Sequence, residues 1–303
     1  MIDVTLIGTG GMIPLPDRFL ASFLIEYNGK SILIDCGEGT QISLRKGKIS
    51  MNKIDTILIT HCHADHVSGL PGLLLTIGNN GRIKPLNVIA PRGGAVIINS
   101  LLVVCGFLPY EVLISELHDS KPTKFEKIGF EITSIPLKHH INCVGYSLEL
   151  LLRPHFQPNK AKAMNIPVAF WKDLQNGHNV LVDNNMITPN MVLGEPRKSI
   201  KISYVTDTRP VNLIEKIIKD SNLFICEGMY GDDEQYNNAV EKMHMLFSEA
   251  ANIALKSGVH ELWLTHFSPS MTNPQEFVET AKKIFSNTIV GHDLMRKTII
   301  NEK

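Results

Sequence analysis

Short aliphatic runs alternate with turn residues through the first half of the chain. Five of these runs have the length and the β-branched content that are typical of strands. They are DVTLIG, SFLIEY, SILIDCG, DTILIT and LNVIAP. Segments with the apolar spacing of a helix lie between and after the strands, among them HVSGLPGLLLTIG, PVNLIEKIIKDS and SEAANIALKSG. The alternation of the two patterns predicts an α/β protein.

The segment NPQEFVETAKKIF also predicts a helix, and its start carries three local signals. Asn273 is a suitable N-cap, Pro274 occupies the first helical position, and Glu276 stands at the capping-box position. These signals predict a helix that is capped by Asn273.

A chain of 303 residues with 44% hydrophobic residues can bury a large core. The stretch from about Arg153 to Pro196 differs from the rest, because it is rich in Asn, Pro, His and Lys and has few long apolar runs. Such a stretch is more typical of an exposed excursion than of a core. The prediction is a single domain over residues 1–303 with an inserted arm at about 153–196.

The cysteine content indicates the cellular compartment, whereas the net charge does not indicate the class of substrate. The 30 basic and 30 acidic residues cancel, so no global charge favours or excludes a polyanion partner. The five cysteines form no CxxC pair, which is typical of a reduced cytosolic protein. The N-terminus lacks the features of a leader, and no apolar run approaches the roughly 20 residues of a membrane span. We expect a cytoplasmic protein without a membrane partner.

The strongest chemical signal is the sequence HCHADH, which directly follows a predicted strand. His61 and His63 project to the same side of an extended backbone and can hold one metal ion. Asp65 and His66 follow as the chain turns into a helix, from where they can reach a second ion, as in two-metal hydrolases. Cys62 lies between the ligands, is expected to point the opposite way, and is interpreted as a packing residue.

Three further predicted strands end in residues of the metal-binding type. FEITSIPLKHH ends at His139 and His140, IKISYVTDTRP contains Asp207, and HELWLTHFSPS contains His266. Each of these alone is more typical of a hydrogen-bonded histidine or of an Asp that caps a helix. Together with HCHADH they predict a metal centre built at strand ends. Spacing leaves open whether His139 or His140 takes part.

The motifs resemble those of the metallo-β-lactamase superfamily and, within it, the ribonuclease Z branch. They occur in the order of that branch and span nearly the whole chain: GTGGMIPLPDR, DCGEGTQ, HCHADH, GLPGLL, LKHHINCVGYSLE, TDTRP and LTHFSPS. The resemblance implies a four-layered αββα sandwich that binds two zinc ions, with manganese as a possible substitute. It implies cleavage of phosphodiesters by a hydroxide that bridges the two metal ions.

The resemblance also implies a ligand set. This set is His61, His63 and His139 for one zinc, Asp65, His66 and His266 for the other, and Asp207 bridging both. His140 is then a neighbour that does not bind metal. Asp35 in DCGEGTQ resembles a residue that accepts a hydrogen bond from a ligand imidazole and so orients the ring.

Two side chains outside the ligand set match positions that assist cleavage in the branch. Glu227 lies in FICEGMYGDD and His244 in VEKMHMLFSEAA. The implied role of His244, supported by Glu227, is to donate a proton to the leaving oxygen or to neutralise charge in the transition state. Asp65 is expected to hold the attacking hydroxide or to take its proton. The branch commonly reads HEAT and HST at these places, where this chain reads CEGM and HML.

The substrate that the resemblance implies is precursor transfer RNA, whose 3′ trailer is removed while the arm grips the RNA. The branch typically has a Gly-Pro pair in this arm, whereas NIPVAFWKDLQNG keeps Pro167, Leu174 and Gly177 without that pair. A small-molecule phosphodiesterase or another ester hydrolase of the superfamily is therefore the alternative. By analogy with the branch we expect a homodimer. Phe170 and Trp171 are expected to pin the arm rather than to stack on RNA.

Overall fold

The computed structural model describes residues 1–118, 120–195 and 197–300, so Pro196, the predicted end of the arm, lies outside the described residues. Its strands in chain order are β1 Ile2–Gly8, β2 Ser22–Tyr27, β3 Lys30–Ile34, β4 Ile54–Leu58, β5 Leu86–Pro91, β6 Val112–Leu117, β7 Thr123–Lys127, β8 Phe130–Pro136, β9 Val144–Leu150, β10 Val180–Val182, β11 Asn185–Ile187, β12 Ile200–Val205, β13 Leu223–Glu227, β14 Leu262–Thr265, β15 Thr288–Val290 and β16 Arg296–Ile299.

The α-helices connect these strands. They are α1 Thr40–Lys46, α2 Ala64–Val67, α3 Leu70–Asn79, α4 Gly94–Leu102, α5 Pro158–Ala163, α6 Trp171–Gln175, α7 Asn212–Ile218, α8 Tyr236–Lys242, α9 Phe247–Ser257 and α10 Val278–Lys282. Short 3₁₀ turns cover Met51–Lys53, Val103–Cys105, Val168–Phe170, Pro189–Met191, Asp233–Gln235 and Pro274–Phe277. Among the described residues, every helix is too short or too polar to span a bilayer.

The described residues form two seven-stranded sheets and one small hairpin of β10 and β11. The first large sheet has the order β16-β1-β2-β3-β4-β5-β6, and the second has the order β15-β14-β13-β12-β9-β8-β7. Strands β3 to β6 run parallel to one another, as do β12 to β15. Because parallel neighbours end at the same edge of a sheet, each sheet collects the loops after its parallel strands along one edge.

The two sheets pack against each other through large side chains. Tyr204 of β12 stacks on Phe23 of β2 with ring centroids 5.7 Å apart, and the Tyr146 hydroxyl donates to the Ile59 carbonyl at 2.7 Å. Helices α3 and α4 share a hydrophobic core with the first sheet, and α7, α9 and α10 share one with the second. The predicted four-layered αββα sandwich is therefore confirmed.

The start of the segment NPQEFVETAKKIF differs from the prediction. The chain after Asn273 first makes the 3₁₀ turn Pro274–Phe277, and the α-helix begins only at Val278. The Asn273 side chain accepts no main-chain hydrogen bond and instead donates to the Glu276 carboxylate at 2.9 Å. The Glu276 amide instead donates to the Asn273 main-chain carbonyl at 3.3 Å and closes the 3₁₀ turn, while the two side chains bind each other.

The chain divides into two compact units. One consists of Met1–Glu149 and the chain from Lys201 onward, and the other is Leu150–Ile200, within which the predicted arm falls. The second unit has a small core of its own, formed by Ala161, Ile166, Leu174, Val180, Ile187 and Val192. Phe170 and Trp171 pack on this core, and the Trp171 indole donates to the Ile166 carbonyl at 3.0 Å. Both aromatic residues therefore serve as packing residues of their own unit.

Candidate active site

The predicted metal ligands follow the ends of four strands of the first unit. His61, His63, Asp65 and His66 follow β4, His139 follows β8, Asp207 follows β12 and His266 follows β14. The structure brings these seven side chains together in two groups that share Asp207, and within each group the potential ligand atoms lie within 4.8 Å of one another. The ends of one strand of the first sheet and three strands of the second thus contribute side chains to one site.

The first group consists of His61, His63, His139 and Asp207. His63 Nδ1 lies 3.1 Å from His61 Nε2 and 3.3 Å from His139 Nε2. The Oδ2 atom of Asp207 completes the group, at 3.6 Å from His61 Nε2 and 4.0 Å from His139 Nε2. Three ring nitrogens and one carboxylate oxygen therefore face a common point.

The second group consists of Asp65, His66, Asp207 and His266. The Nε2 atoms of His66 and His266 are 3.2 Å apart, and Asp207 Oδ1 lies 3.3 Å and 3.2 Å from them. Asp65 Oδ2 lies 3.3 Å from His266 Nε2 and 3.5 Å from His66 Nε2. The two oxygens of Asp207 therefore serve different groups, Oδ2 the first and Oδ1 the second.

The hydrogen bonds behind the rings fix which nitrogens face the site without a proton. Asp35 accepts from the Thr60 hydroxyl and from His66 Nδ1, both at 2.8 Å. Because the Thr60 proton is directed to Asp35, its oxygen can accept from His61 Nδ1 at 3.1 Å. In the same way, His139 Nδ1 faces the Met243 carbonyl at 3.3 Å. With the Nδ1 atoms protonated, the Nε2 atoms of His61, His66 and His139 carry no proton, and their lone pairs point into the site.

This donor set fits divalent metal ions. Imidazole nitrogens at about 3 Å from one another, with their second nitrogens bound to a carboxylate, a hydroxyl or a carbonyl, are the usual arrangement around a metal ion in proteins. Burial lowers the pKa values of His61, His63 and His139, the last to about 4, which favours the neutral rings that bind metal. Burial raises the pKa of the Asp65 and Asp207 carboxyls, but the facing histidines outweigh it and lower both.

Three site residues hold a backbone conformation that non-glycine residues seldom adopt. Asp35, Asp207 and His266 have φ values of 59°, 49° and 57°. Nearby, Gly11 allows the His266 ring to approach the main chain, because a Cβ atom on Gly11 would lie 2.7 Å from that ring. At each of these positions the left-handed backbone conformation ends the extended chain and places the side chain in the site.

Glu227 and His244 form a buried pair next to the second group. The end of β13 places Glu227 beside Asp207, and its Oε2 accepts from His244 Nδ1 at 2.9 Å and from the Met245 amide at 3.2 Å. Its Oε1 accepts from the Thr208 amide at 2.5 Å. Burial lowers the pKa of His244, but the Glu227 carboxylate outweighs burial and raises the pKa to about 9. His244 is thus held as a cation 3.8 Å from Asp207.

The structure distinguishes two neighbours that the sequence placed beside the ligands. His140 is exposed and belongs to neither group, although its ring centroid lies 5.5 Å from that of His139. Cys62 is half-buried and packs against the core of the first sheet. The roles of Thr60 and of the Met243 carbonyl were not predicted from the sequence. A hydroxyl directly before the first histidine was a weak signal for Thr60, whereas no local pattern indicates the carbonyl.

Known proteins resemble this chain over its full length. It is 49% identical to the Ribonuclease Z of Clostridium acetobutylicum, with 99% of this chain and 98% of that protein covered. A family model described as Anti-Pycsar protein Apyc1 matches residues 2–194.

Solved structures share the fold. The crystal structure of human tRNase Z, short form, has a TM-score of 0.72 at 24% identity and covers 98% of this chain and 99% of its own. A metallo-beta-lactamase fold protein from Bacillus subtilis has a TM-score of 0.70 at 18% identity and covers 98% of each chain. The chain therefore belongs to the ribonuclease Z family of metallo-β-lactamase fold proteins, and within residues 2–194 it also matches the family described as Anti-Pycsar protein Apyc1.

Proposed function

We propose that this protein is a two-metal hydrolase that cleaves phosphodiesters and removes the 3′ trailer from precursor transfer RNA. The proposal rests on the position of Asp207. Its two carboxylate oxygens face two separate groups, each with three further side chains of the metal-binding type. That is the arrangement of a carboxylate that bridges two metal ions. Relatives of nearly equal length with the name Ribonuclease Z support the substrate.

The proposed ligands are those of the two groups. His61, His63 and His139 would hold one ion, Asp65, His66 and His266 would hold the other, and Asp207 would contribute to both. Nitrogen-rich sites of this kind favour zinc, and manganese is a possible substitute. When bound, the two ions supply an activated water and polarise the phosphoryl oxygen.

The side chains of the protein supply the remaining chemistry. Asp65 lies at the edge of the site, where its Oδ2 accepts the Met12 amide at 2.7 Å, and it is placed to orient the attacking water or to take its proton. Protonated His244 donates a proton to the leaving oxygen as the phosphorus–oxygen bond breaks, and Glu227 holds the ring in place. The buried Glu227 carboxylate stabilises the imidazolium before the transfer.

We propose one metallohydrolase domain that carries the arm as an RNA-binding insertion. Between Arg153 and Pro196 the sequence has four basic residues against three acidic ones, which is a weak positive surplus. Three of the basic side chains, those of Lys160, Lys162 and Lys172, are exposed on α5 and α6. They are suitable contacts for phosphates, and such contacts make RNA binding sensitive to salt.

A two-substrate assay tests the function and the arm together. Wild type is expected to cleave a 3′-extended precursor transfer RNA at low salt and to hydrolyse bis(p-nitrophenyl) phosphate. Changing Lys160, Lys162 and Lys172 together to Ala is expected to lower RNA cleavage about tenfold or more and to reduce the salt slope of RNA binding by about 0.9 for each lost contact. Hydrolysis of the small diester is expected to stay unchanged, because that substrate lacks the RNA phosphates that the three lysines are proposed to bind.

In the matched control variant, three exposed lysines of the other unit are changed to Ala. They are Lys216, Lys282 and Lys283. This control is expected to retain both activities. Equal losses on both substrates in the arm variant would mean that the arm is structural. Absence of RNA cleavage by wild type at low salt, with diester hydrolysis intact, would move the protein to the alternative class of small-molecule phosphodiesterases.

We also propose a cytoplasmic location. All five cysteines are free, and four of them are buried, as in proteins of a reducing compartment. Fractionation of expressing cells, followed by detection of the intact chain, tests this proposal. Recovery of the protein from a secreted or membrane fraction would contradict it.

A homodimer is proposed on the basis of an apolar stripe along α4 and the turn that follows. The stripe consists of Val96, Val103, Val104 and Phe107, which are exposed by 72%, 78%, 72% and 89%. Val96 lies on α4, Val103 and Val104 lie in the 3₁₀ turn that follows, and Phe107 comes directly after the end of this turn at Gly106. Contiguous exposed apolar side chains typically mark a protein interface. We propose that a second copy of this chain covers the stripe. Two stripes facing each other would form the apolar centre of an interface, and a stable interface buries about 800 Å² on each partner.

Sedimentation tests the dimer. Wild type is expected to sediment as a dimer at micromolar concentration, and Val104→Asp with Phe107→Asp is expected to sediment as a monomer, because each charge would be buried without a partner. Leu255→Asp on α9, where the leucine is 54% exposed, is the matched control and should stay dimeric. A wild type that is monomeric over a wide range of concentrations would refute the proposal.

A further inference from the structure

The loop that carries His244 is held both by core packing and by hydrogen bonds of its main chain. Met245 and Leu246 are buried, and Met245 belongs to the hydrophobic core of the second sheet. Each residue of Met243–Leu246, between α8 and α9, has a main-chain oxygen or amide that bonds a side chain from another part of the unit. The four side chains are, in order, those of His139, Arg209, Glu227 and Glu249. Two of these belong to the site already described, and the pair of Arg209 and Glu249 does not.

Arg209 is buried, and both terminal nitrogens of its guanidinium group donate hydrogen bonds. Its Nη1 donates to the His244 carbonyl at 2.5 Å and to Glu249 Oε2 at 2.9 Å, while Nη2 donates to Glu249 Oε1. Its main-chain amide donates to the Lys138 carbonyl at 3.0 Å. The guanidinium carbon lies 5.5 Å from the centre of the Tyr236 ring. The planar fork thus binds a carboxylate and a carbonyl at once.

Glu249 extends the contact into the same loop. It lies in the first turn of α9, and its Oε2 accepts the Leu246 amide at 3.0 Å. The pair of Arg209 and Glu249 therefore grips the loop at two successive points after the His244 ring. Arg209 follows Asp207 by two residues, so the grip is anchored at the strand end that delivers the shared carboxylate.

We propose that Arg209 and Glu249 are positioning residues that set the distance of the His244 imidazole from the reacting phosphate. This inference rests on the proposed role of His244 as proton donor. Neither side chain is placed to touch substrate, because both bind the main chain behind the His244 ring. A shift of about 1 Å in a catalytic group can lower a rate by up to about 10²-fold, so a grip on the carbonyl has a large effect without contact to the reacting atoms.

Substrates with different leaving groups distinguish a displaced His244 imidazole from a general loss of activity. Arg209→Gln is expected to lower kcat about tenfold or more for a diester with a poor alkoxide leaving group, with KM unchanged. For bis(p-nitrophenyl) phosphate, whose leaving group needs no proton, the loss is expected to stay below about threefold. Glu249→Gln keeps the shape of the side chain and is expected to give a smaller loss with the same dependence on leaving group. It is the second variant in case Arg209→Gln does not fold.

A double-variant cycle shows whether the pair acts through His244. If it does, Arg209→Gln has no further effect on kcat in a His244→Ala background, because the group it positions is already absent. A loss of the same size in both backgrounds would overturn the inference while leaving the role of His244 intact. A His244→Ala variant with the wild-type rate on the poor leaving group would instead overturn the proposed role of His244 as proton donor, and the inference with it.

Hydrogen exchange provides a measurement that does not depend on activity. In Arg209→Gln the amides of Met243–Leu246 are expected to exchange about tenfold faster, whereas those of α3 keep their rate. The matched control is Arg82→Gln, since Arg82 is also buried, donates to the Ile54 carbonyl and lies 5.5 Å from a tyrosine ring, that of Tyr110. This control is expected to change neither the leaving-group dependence nor the exchange of the His244 loop. Unchanged exchange in Arg209→Gln, or the same kinetic pattern in Arg82→Gln, would overturn the inference.

Discussion

Asp207→Ala is expected to reduce the metal content of the protein from about two ions per chain to less than one, and to reduce hydrolysis to the background rate. The reason is that Asp207 is the residue that the two ligand groups share, with one carboxylate oxygen facing each group. Its Oδ2 lies 3.6 Å from His61 Nε2, and its Oδ1 lies 3.2 Å from His266 Nε2. Removal of one side chain therefore weakens two sites at once.

His139→Ala provides the contrast. His139 belongs to the first group alone, so its loss leaves Asp65, His66, Asp207 and His266 in place. This variant is expected to retain about one ion per chain. Elemental analysis after reconstitution with zinc, and separately with manganese, measures both variants against wild type.

Backbone conformation has to be separated from ligand loss in this experiment. Asp207 has a φ of 49°, where an alanine costs about 1–2 kcal/mol, whereas asparagine tolerates this region. Asp207→Asn is therefore the sharper variant, since it removes the charge and one of the two oxygens but keeps the turn. Asp173→Ala, on an exposed helix position of the arm, is the control and should leave the metal content unchanged. If wild type binds one ion, or if Asp207→Asn keeps two, the shared-ligand assignment is wrong.

The sequence was sufficient to predict which side chains meet at the site, because the signals were local. A run of strand residues followed by a histidine or an aspartate recurs before His61, His139, Asp207 and His266, and the structure places all four together. The choice of His139 over His140 came from the family resemblance alone. In the structure, His139 faces the site and His140 is exposed.

The parts that the sequence did not predict depend on contacts between distant residues. The grip of Arg209 on the His244 carbonyl joins positions 35 residues apart, and nothing in TDTRP or in VEKMHMLFSEAA indicates it. The left-handed backbone conformations of Asp35 and His266 were also not predicted from the sequence, since strand propensity predicts extended backbone at both positions. The predicted side-chain cap at Asn273 was wrong, because the Asn273 side chain binds the Glu276 carboxylate and the Glu276 amide closes a 3₁₀ turn on the Asn273 main-chain carbonyl.

His244→Ala is expected to lower the turnover number by roughly 10²-fold on a substrate with a poor leaving group, while two metal ions stay bound. The pKa of His244 is raised to about 9 despite burial, because the Glu227 carboxylate lies 2.9 Å from its Nδ1. The ring is therefore protonated at neutral pH, which is the state that a proton donor needs. Glu227, His244 and His266 also lie close enough to form a group of metal-binding type, but Glu227 binds His244 Nδ1 directly. We therefore assign His244 to proton donation, and its removal is expected to leave both metal ions bound.

Two further variants make the result specific. Glu227→Gln removes the charge that stabilises the imidazolium and is expected to lower turnover in the same substrate-dependent way as His244→Ala. His260→Ala, at an exposed position of the same unit, is the histidine control and should keep the wild-type rate.

The decisive measurement compares leaving groups. Turnover of bis(p-nitrophenyl) phosphate should fall by less than about tenfold in His244→Ala, because a nitrophenolate leaves without a proton, whereas cleavage of an RNA or alkyl diester should fall by the full factor. Losses of equal size on both classes would mean that His244 stabilises transition-state charge rather than donating a proton. Loss of metal together with rate would instead place His244 among the ligands, and the role proposed here for the Glu227 pair would have to be abandoned.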